Sequence, residues 1–160
     1  MEYVYWVIPG SLGGRKGPNQ EPWDLADFRR QGVDWIVSIT ERMLNRSHEV
    51  VAFGINHLCV PLPNNAPPLP GDADDIFYVV PLLEGFISAQ LPGSKILVHC
   101  SSGKDRTPLL MSYFLMKNQH MTATQAMDTM KSIVPGAFTA EGWHEMALSI
   151  LSRYNAAGKG

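Results

Sequence analysis

Residues 95–118 constrain the fold more than any other stretch of the chain. Lys95-Ile96-Leu97-Val98-His99 is a short apolar run of strand type. Leu109-Leu110-Met111-Ser112-Tyr113-Phe114-Leu115-Met116 is apolar on nearly every face of a helix, so that helix must run through a core rather than over it. A buried strand feeding a buried helix through a short polar loop is the unit from which α/β domains are built. Three further short runs, Val4 to Ile8, Val33 to Ile39 and Ile55 to Val60, alternate with longer helical patterns. Together they predict an α/β fold, with a central, mainly parallel sheet of about four to five strands flanked by helices.

The helical patterns have readable ends. Pro22 to Gln31 stops at Gly32, with acids in its first turn and arginines in its last, as the helix dipole favours. A second helix starts near Asp72 and runs towards Leu91, with Pro81 predicting a kink or break inside it. Beyond the last strand everything reads as helix: Pro108 to Asn118, then a segment opened by the Thr122 and Gln125 capping box, then Thr139 to Tyr154.

With 160 residues, 45% of them hydrophobic, the chain is expected to form a single domain over 1–160, with 155–160 as a flexible tail. A formal charge of −2 argues against a general nucleic-acid binder, which needs an excess or stripe of basic residues. Two cysteines, Cys59 and Cys100, are too few for a disulfide framework or a four-thiolate zinc site, which suits a reducing cytoplasm. Glu2 stands where a signal peptide is basic. The longest apolar run, Ile76 to Leu83, ends at Glu84, well short of a membrane span of about 20 residues. The expectation is a soluble, cytoplasmic monomer.

Chemistry concentrates in Val98-His99-Cys100-Ser101-Ser102-Gly103-Lys104-Asp105-Arg106-Thr107, between the strand and the buried helix. A loop entering a helix presents unpaired backbone N–H groups and the positive end of the dipole, a setting for a tetrahedral oxyanion. Small residues at Ser101, Ser102 and Gly103 let the backbone curl. The same field favours the thiolate of Cys100, and a thiolate is a nucleophile able to attack phosphorus. Arg106 closes the loop with a planar fork that can grip two phosphate oxygens. A nucleotide-binding loop is excluded, because no glycine stands at the required spacing before Gly103-Lys104 and Asp105 follows the lysine.

His99-Cys100, five residues, then Arg106-Thr107 resembles the signature of the protein tyrosine phosphatase superfamily. Ile8-Pro9-Gly10, Gly32 to Arg42 and the Pro-rich loop before the long helix extend the resemblance to atypical dual-specificity phosphatases, across roughly residues 3 to 155. The resemblance implies a dual-specificity phosphatase-like fold, a phosphocysteine intermediate, and neither metal nor cofactor. It also implies that Ser101 to Arg106 form the anion cradle, that Thr107 hydrogen-bonds the departing thiolate, and that His99 buttresses the loop.

The sequence departs from that pattern in places. Relatives carry a Pro-Asp acid in the loop after the third strand, whereas Pro63-Asn64-Asn65-Ala66-Pro67-Pro68 stands here; Pro108 replaces the usual glycine after Arg-Thr. The run Lys104-Asp105-Arg106-Thr107 resembles the loops of phosphoinositide and broad-specificity bacterial phosphatases. It offers Asp105 as the general acid, with Asp72 as the alternative and helix capping as the plainer role for Asp72. Lys104 could bind an additional phosphate or be a solvated lysine. Leu58-Cys59 resembles a pair in lipid-phosphatase relatives. Cys59, expected on a strand adjacent to that of Cys100, is either core packing or a redox partner forming a Cys59–Cys100 disulfide.

The resulting expectation is a cysteine-dependent phosphomonoester hydrolase, read as a protein tyrosine or dual-specificity phosphatase. Its partner would be a phosphorylated protein, or else a phosphorylated small molecule or lipid headgroup. A phosphoinositide or inositol phosphate phosphatase remains open. So do a phosphate-binding module without turnover and a sulfur-transfer or arsenate-reducing enzyme.

Overall fold

The computed structural model describes residues 1–157, and the side chains of residues 1–154. Its strands are β1 (Tyr5–Ile8), β2 (Leu12–Arg15), β3 (Trp35–Ser38), β4 (Asn56–Cys59) and β5 (Ile96–His99). They form one sheet in the order β1-β2-β5-β3-β4, in which only the β1–β2 pair is antiparallel. The fold is α/β, with β5 as the middle strand. β2 is the strand that the sequence pattern does not reveal, because its centre is Gly13-Gly14 and glycine weakens a strand. Tyr5 lies directly on Gly14, where the Cβ of any other residue would collide with the phenol end of the Tyr5 side chain.

The chain divides into two compact units. The first, residues 1–62 with 87–103, holds the whole sheet, helix α1 (Leu25–Arg30), a 3₁₀ turn at Glu41–Met43 and helix α2 (Ser47–Val51). Phe28 of α1 and Val50 of α2 pack with Met43, Val33, Ile36, Ile55 and Leu97, and Trp23 and Cys59 lie against that cluster. α1 begins at Leu25 rather than Pro22, because the Asp24 side chain caps it by accepting from Asp27 N at 2.9 Å.

The second unit, residues 63–86 with 104 onward, holds most of α3 (Asp72–Gln90), together with α4 (Arg106–Gln119), α5 (Ala123–Ile133) and α6 (Trp143–Ala157). α4 is buried from Arg106 through Leu115 and packs against α5 and α6. α5 starts at the Thr122–Gln125 capping box that the sequence predicts. α3 runs through Pro81 without the break that is one of the two expectations there. Pro81 has no N–H for the carbonyl of Phe77 four residues earlier; the Tyr154 hydroxyl donates to that oxygen instead, at 2.7 Å.

α6 starts at Trp143, not Thr139, because Phe138 (φ 63°) and Gly142 (φ 78°) hold the preceding backbone in the left-handed region. It is helical through Ala157; residues 158–160 of the expected tail lie outside the described residues.

Candidate active site

Cys100 is placed by the sheet unit at the carboxyl end of β5, the middle parallel strand, where open α/β sheets present their ligand sites. It is 1% exposed. The loop that follows is tied down from the segment after β2: Gly17 N donates to the Ser101 carbonyl at 2.9 Å and Asn19 Nδ2 to Ser101 Oγ at 2.9 Å. Gly103 curls the chain with φ +75°. His99 is buried behind the nucleophile, its Nδ1 2.7 Å from the Cys100 carbonyl and its ring edge-on to Trp23 at 4.5 Å. Burial, and secondarily the Cys100 charge, push the Tyr5 phenol pKa well above its ordinary value. The buried Tyr5 hydroxyl has no hydrogen-bond partner among the described residues.

The division between the units falls inside the loop, and the helical unit positions its second half. The Lys104 carbonyl accepts from Phe138 N at 2.8 Å, and its side-chain stem runs past Gly136. Asp105 occupies the N-cap position of α4 without capping it; its Oδ1 accepts from Ala140 N at 3.4 Å. Half-burial pushes the Asp105 carboxyl pKa up, opposed by the Ala140 N–H and the charges of Arg106 and Lys104. Arg106 is the first residue of α4, which starts two positions before the expected Pro108. Pro108 still lies in the first turn, where its missing N–H costs nothing. Arg106 is 2% exposed, and Thr107 is fully buried with a hydroxyl that has no hydrogen-bond partner among the described residues.

Asp72 is buried, and its Oδ2 accepts from Asn65 Nδ2 at 2.9 Å and Leu69 N at 2.8 Å. The Asn65 carbonyl in turn accepts from Trp143 Nε1 at 2.9 Å. Asp72 thus fastens the Pro-rich loop, while Asn64 is exposed.

Of the two readings of Cys59, the sheet order favours core packing over a Cys59–Cys100 disulfide. Cys59 pairs in register with Ser38 on β3, and Ser38 with His99, so β3 separates the two cysteine strands. Two strand spacings are about 9.5 Å, beyond the roughly 7 Å that a disulfide spans between Cα atoms. Both thiols are free. The Cys59 thiol donates to the Thr40 carbonyl at 3.5 Å, burial and then Glu41 push its pKa up, and the side chain packs against the core cluster of the sheet unit.

Gly17 and Asn19 hold the loop at Ser101, and Ser38 lies against His99, without having been singled out in the sequence. Lys16-Gly17-Pro18-Asn19 reads as an ordinary turn, and nothing in single-sequence patterning shows which loop it will touch. Among the described residues no group of three or more His, Cys, Asp or Glu is placed to hold a metal, and no helix is long and apolar enough to cross a membrane.

Residues 25–147 match the dual specificity phosphatase catalytic domain. The fold is shared with the active form of Tk-PTP, at 21% identity and TM-score 0.69, covering 95% of this chain and 97% of that one. It is shared with human tyrosine phosphatase-like serine/threonine/tyrosine-interacting protein, at 17% identity and TM-score 0.73, covering 98% of each chain. Human DUSP28 matches at 18% identity and TM-score 0.68, covering 97% of each. A match to that catalytic domain, with Cys100 inside it directly after the central parallel strand, defines a cysteine-dependent protein phosphatase. The chain belongs to the dual specificity phosphatase family.

Proposed function

We propose that Cys100 is the nucleophile and Arg106 the phosphate clamp of a protein tyrosine/dual-specificity phosphatase working through a phosphocysteine. The Cys100 thiolate attacks phosphorus as the P–O bond to the leaving group breaks, and backbone N–H groups of Ser101 to Arg106 hold the equatorial oxygens. The Arg106 fork takes two of them, and Lys104 adds a second positive charge. Asp105 gives its proton to the leaving oxygen. A water then attacks phosphorus, returns a proton to Asp105, and expels the Cys100 thiolate, which the Thr107 hydroxyl stabilises.

The observation that carries this reading is the strand-to-helix passage from β5 into α4, with Cys100 directly after the one and Arg106 opening the other. Asp105 is preferred to Asp72 because burial favours its protonated form, whereas Asp72 accepts two hydrogen bonds that fasten a loop. Phosphorylated proteins with broad specificity are the proposed substrates, and a reducing cytoplasm the compartment that keeps Cys100 active. Hydrolysis of p-nitrophenyl phosphate without added metal, inhibition by vanadate and abolition by Cys100→Ser are the expected results. Activity persisting in Cys100→Ser would contradict the assignment.

A further inference from the structure

The sheet face that packs against α1 and α2 contains a polar thread, all of it in the sheet unit. Ser47 Oγ, at the start of α2, lies 2.6 Å from His57 Nδ1, and His57 Nε2 lies 2.8 Å from Ser38 Oγ. Ser38 Oγ lies 2.5 Å from His99 Nε2, and His99 Nδ1 2.7 Å from the Cys100 carbonyl oxygen. The strands bring these groups together by register: Ser38 is level with His99, and Ile36, two residues before it on the same face, is level with His57.

With His99 neutral, the last member fixes every proton. A carbonyl only accepts, so His99 Nδ1 carries hydrogen; a neutral ring then accepts at Nε2, so the Ser38 hydroxyl donates to it. Ser38 has one proton, so towards His57 it accepts, and His57 Nε2 carries hydrogen. His57 Nδ1 therefore accepts from Ser47. Burial pushes the His57 pKa below its ordinary value, which favours the neutral ring that this pattern requires. Four hydrogen bonds point one way, from the helix start to the carbonyl of the nucleophile's own residue, and such chains reinforce one another in a poorly solvated interior.

We propose that Ser38, His57 and Ser47 are positioning residues for catalysis: through His99 they hold the Cys100 carbonyl, and with it the first peptide of the anion loop, in the orientation that stabilises the Cys100 thiolate. The role rests on the reading of Cys100 as nucleophile. None of the three touches substrate, and each acts through the next.

Ring ¹⁵N NMR of the histidine-labelled wild-type protein near pH 7 is expected to show His57 as the Nε2–H tautomer and His99 as the Nδ1–H tautomer. The opposite tautomer at His57 overturns the thread directly, without any substitution. The pH dependence of iodoacetamide alkylation, read on the Cys100 peptide by mass spectrometry, then tests its consequence.

Ser38→Ala and His57→Phe are expected to move the thiol's apparent pKa upward by roughly one unit, the tenfold scale on which outer partners tune a reactive site. His57→Gln, which keeps an N–H for Ser38, is expected to restore it. The other ionisable groups concerned are unchanged in all variants: Tyr5 and His99 in the same unit, and Lys104, Asp105 and Arg106 a few residues along the chain. An unmoved alkylation profile in both Ser38→Ala and His57→Phe assigns these residues to packing and ends the proposal, leaving the nucleophile assignment intact. Activity in Cys100→Ser would instead bring down the nucleophile and this role with it.

Discussion

Asp105 is a carboxyl whose folded environment, through burial above all, disfavours its charge. The sign of the consequence is set by linkage. Below the ordinary aspartate value of about 3.9 the group is neutral folded and unfolded, so nothing is lost; as pH rises through the raised folded value, the folded state bears a penalty that the unfolded chain does not. Asp105→Asn is therefore expected to raise Tm at pH 7 and to leave it unchanged near pH 3, as thermal melts at the two pH values would show. The same substitution should slow alkyl phosphate hydrolysis far more than that of p-nitrophenyl phosphate, whose leaving group barely needs a proton. Asp72→Asn should slow neither selectively, and a reversed order would place the acid at Asp72. Arg106→Lys should leave kcat/KM at no more than about a few per cent of the parent, because an ammonium cannot make the two-pronged contact. Steady-state kinetics on p-nitrophenyl phosphate checks it.

At the scale of elements, α3 shows how a proline is tolerated inside a helix. The Tyr154 hydroxyl supplies the hydrogen bond that Pro81 cannot give to Phe77. Tyr154→Phe should lower stability by about 1–2 kcal/mol, the usual cost of leaving a buried carbonyl without a donor. In a Pro81→Ala background, where the helix N–H returns, most of that cost should vanish, and denaturant unfolding of the four proteins in the cycle measures it. Equal costs in both backgrounds would show that Tyr154 acts by packing alone. Gly14→Ala should destabilise by roughly 1–3 kcal/mol, because the new methyl group must displace the Tyr5 ring. These two elements also mark where the sequence stops being legible. The strand at Gly13-Gly14 lacks strand-forming residues because a neighbouring ring fills its surface. The helix through Pro81 depends on a residue more than 70 positions away. Helices with local signals, such as the Gly32 stop of α1 and the Thr122–Gln125 box of α5, were readable because their determinants lie within four residues.

For the molecule as a whole, the anion loop from Cys100 to Arg106 was legible because strand, loop and helix are contiguous and each has its own pattern. What was not legible came from sheet order. Expecting the strand of Cys59 beside that of Cys100 is reasonable from chain order, yet β3 intervenes and removes the disulfide. The same order sets Ser38 between His57 and His99, an arrangement that no spacing in the sequence announces. Cys59→Ser should accordingly leave recovery from mild peroxide unchanged, as reactivation by thiol after oxidation would show. The most direct test of the account is to quench turnover of p-nitrophenyl phosphate rapidly in acid and map the phosphoryl group by mass spectrometry. A phosphoryl group on the peptide containing Cys100, absent in Cys100→Ser, is the predicted result; turnover with the phosphoryl group on another residue would contradict it.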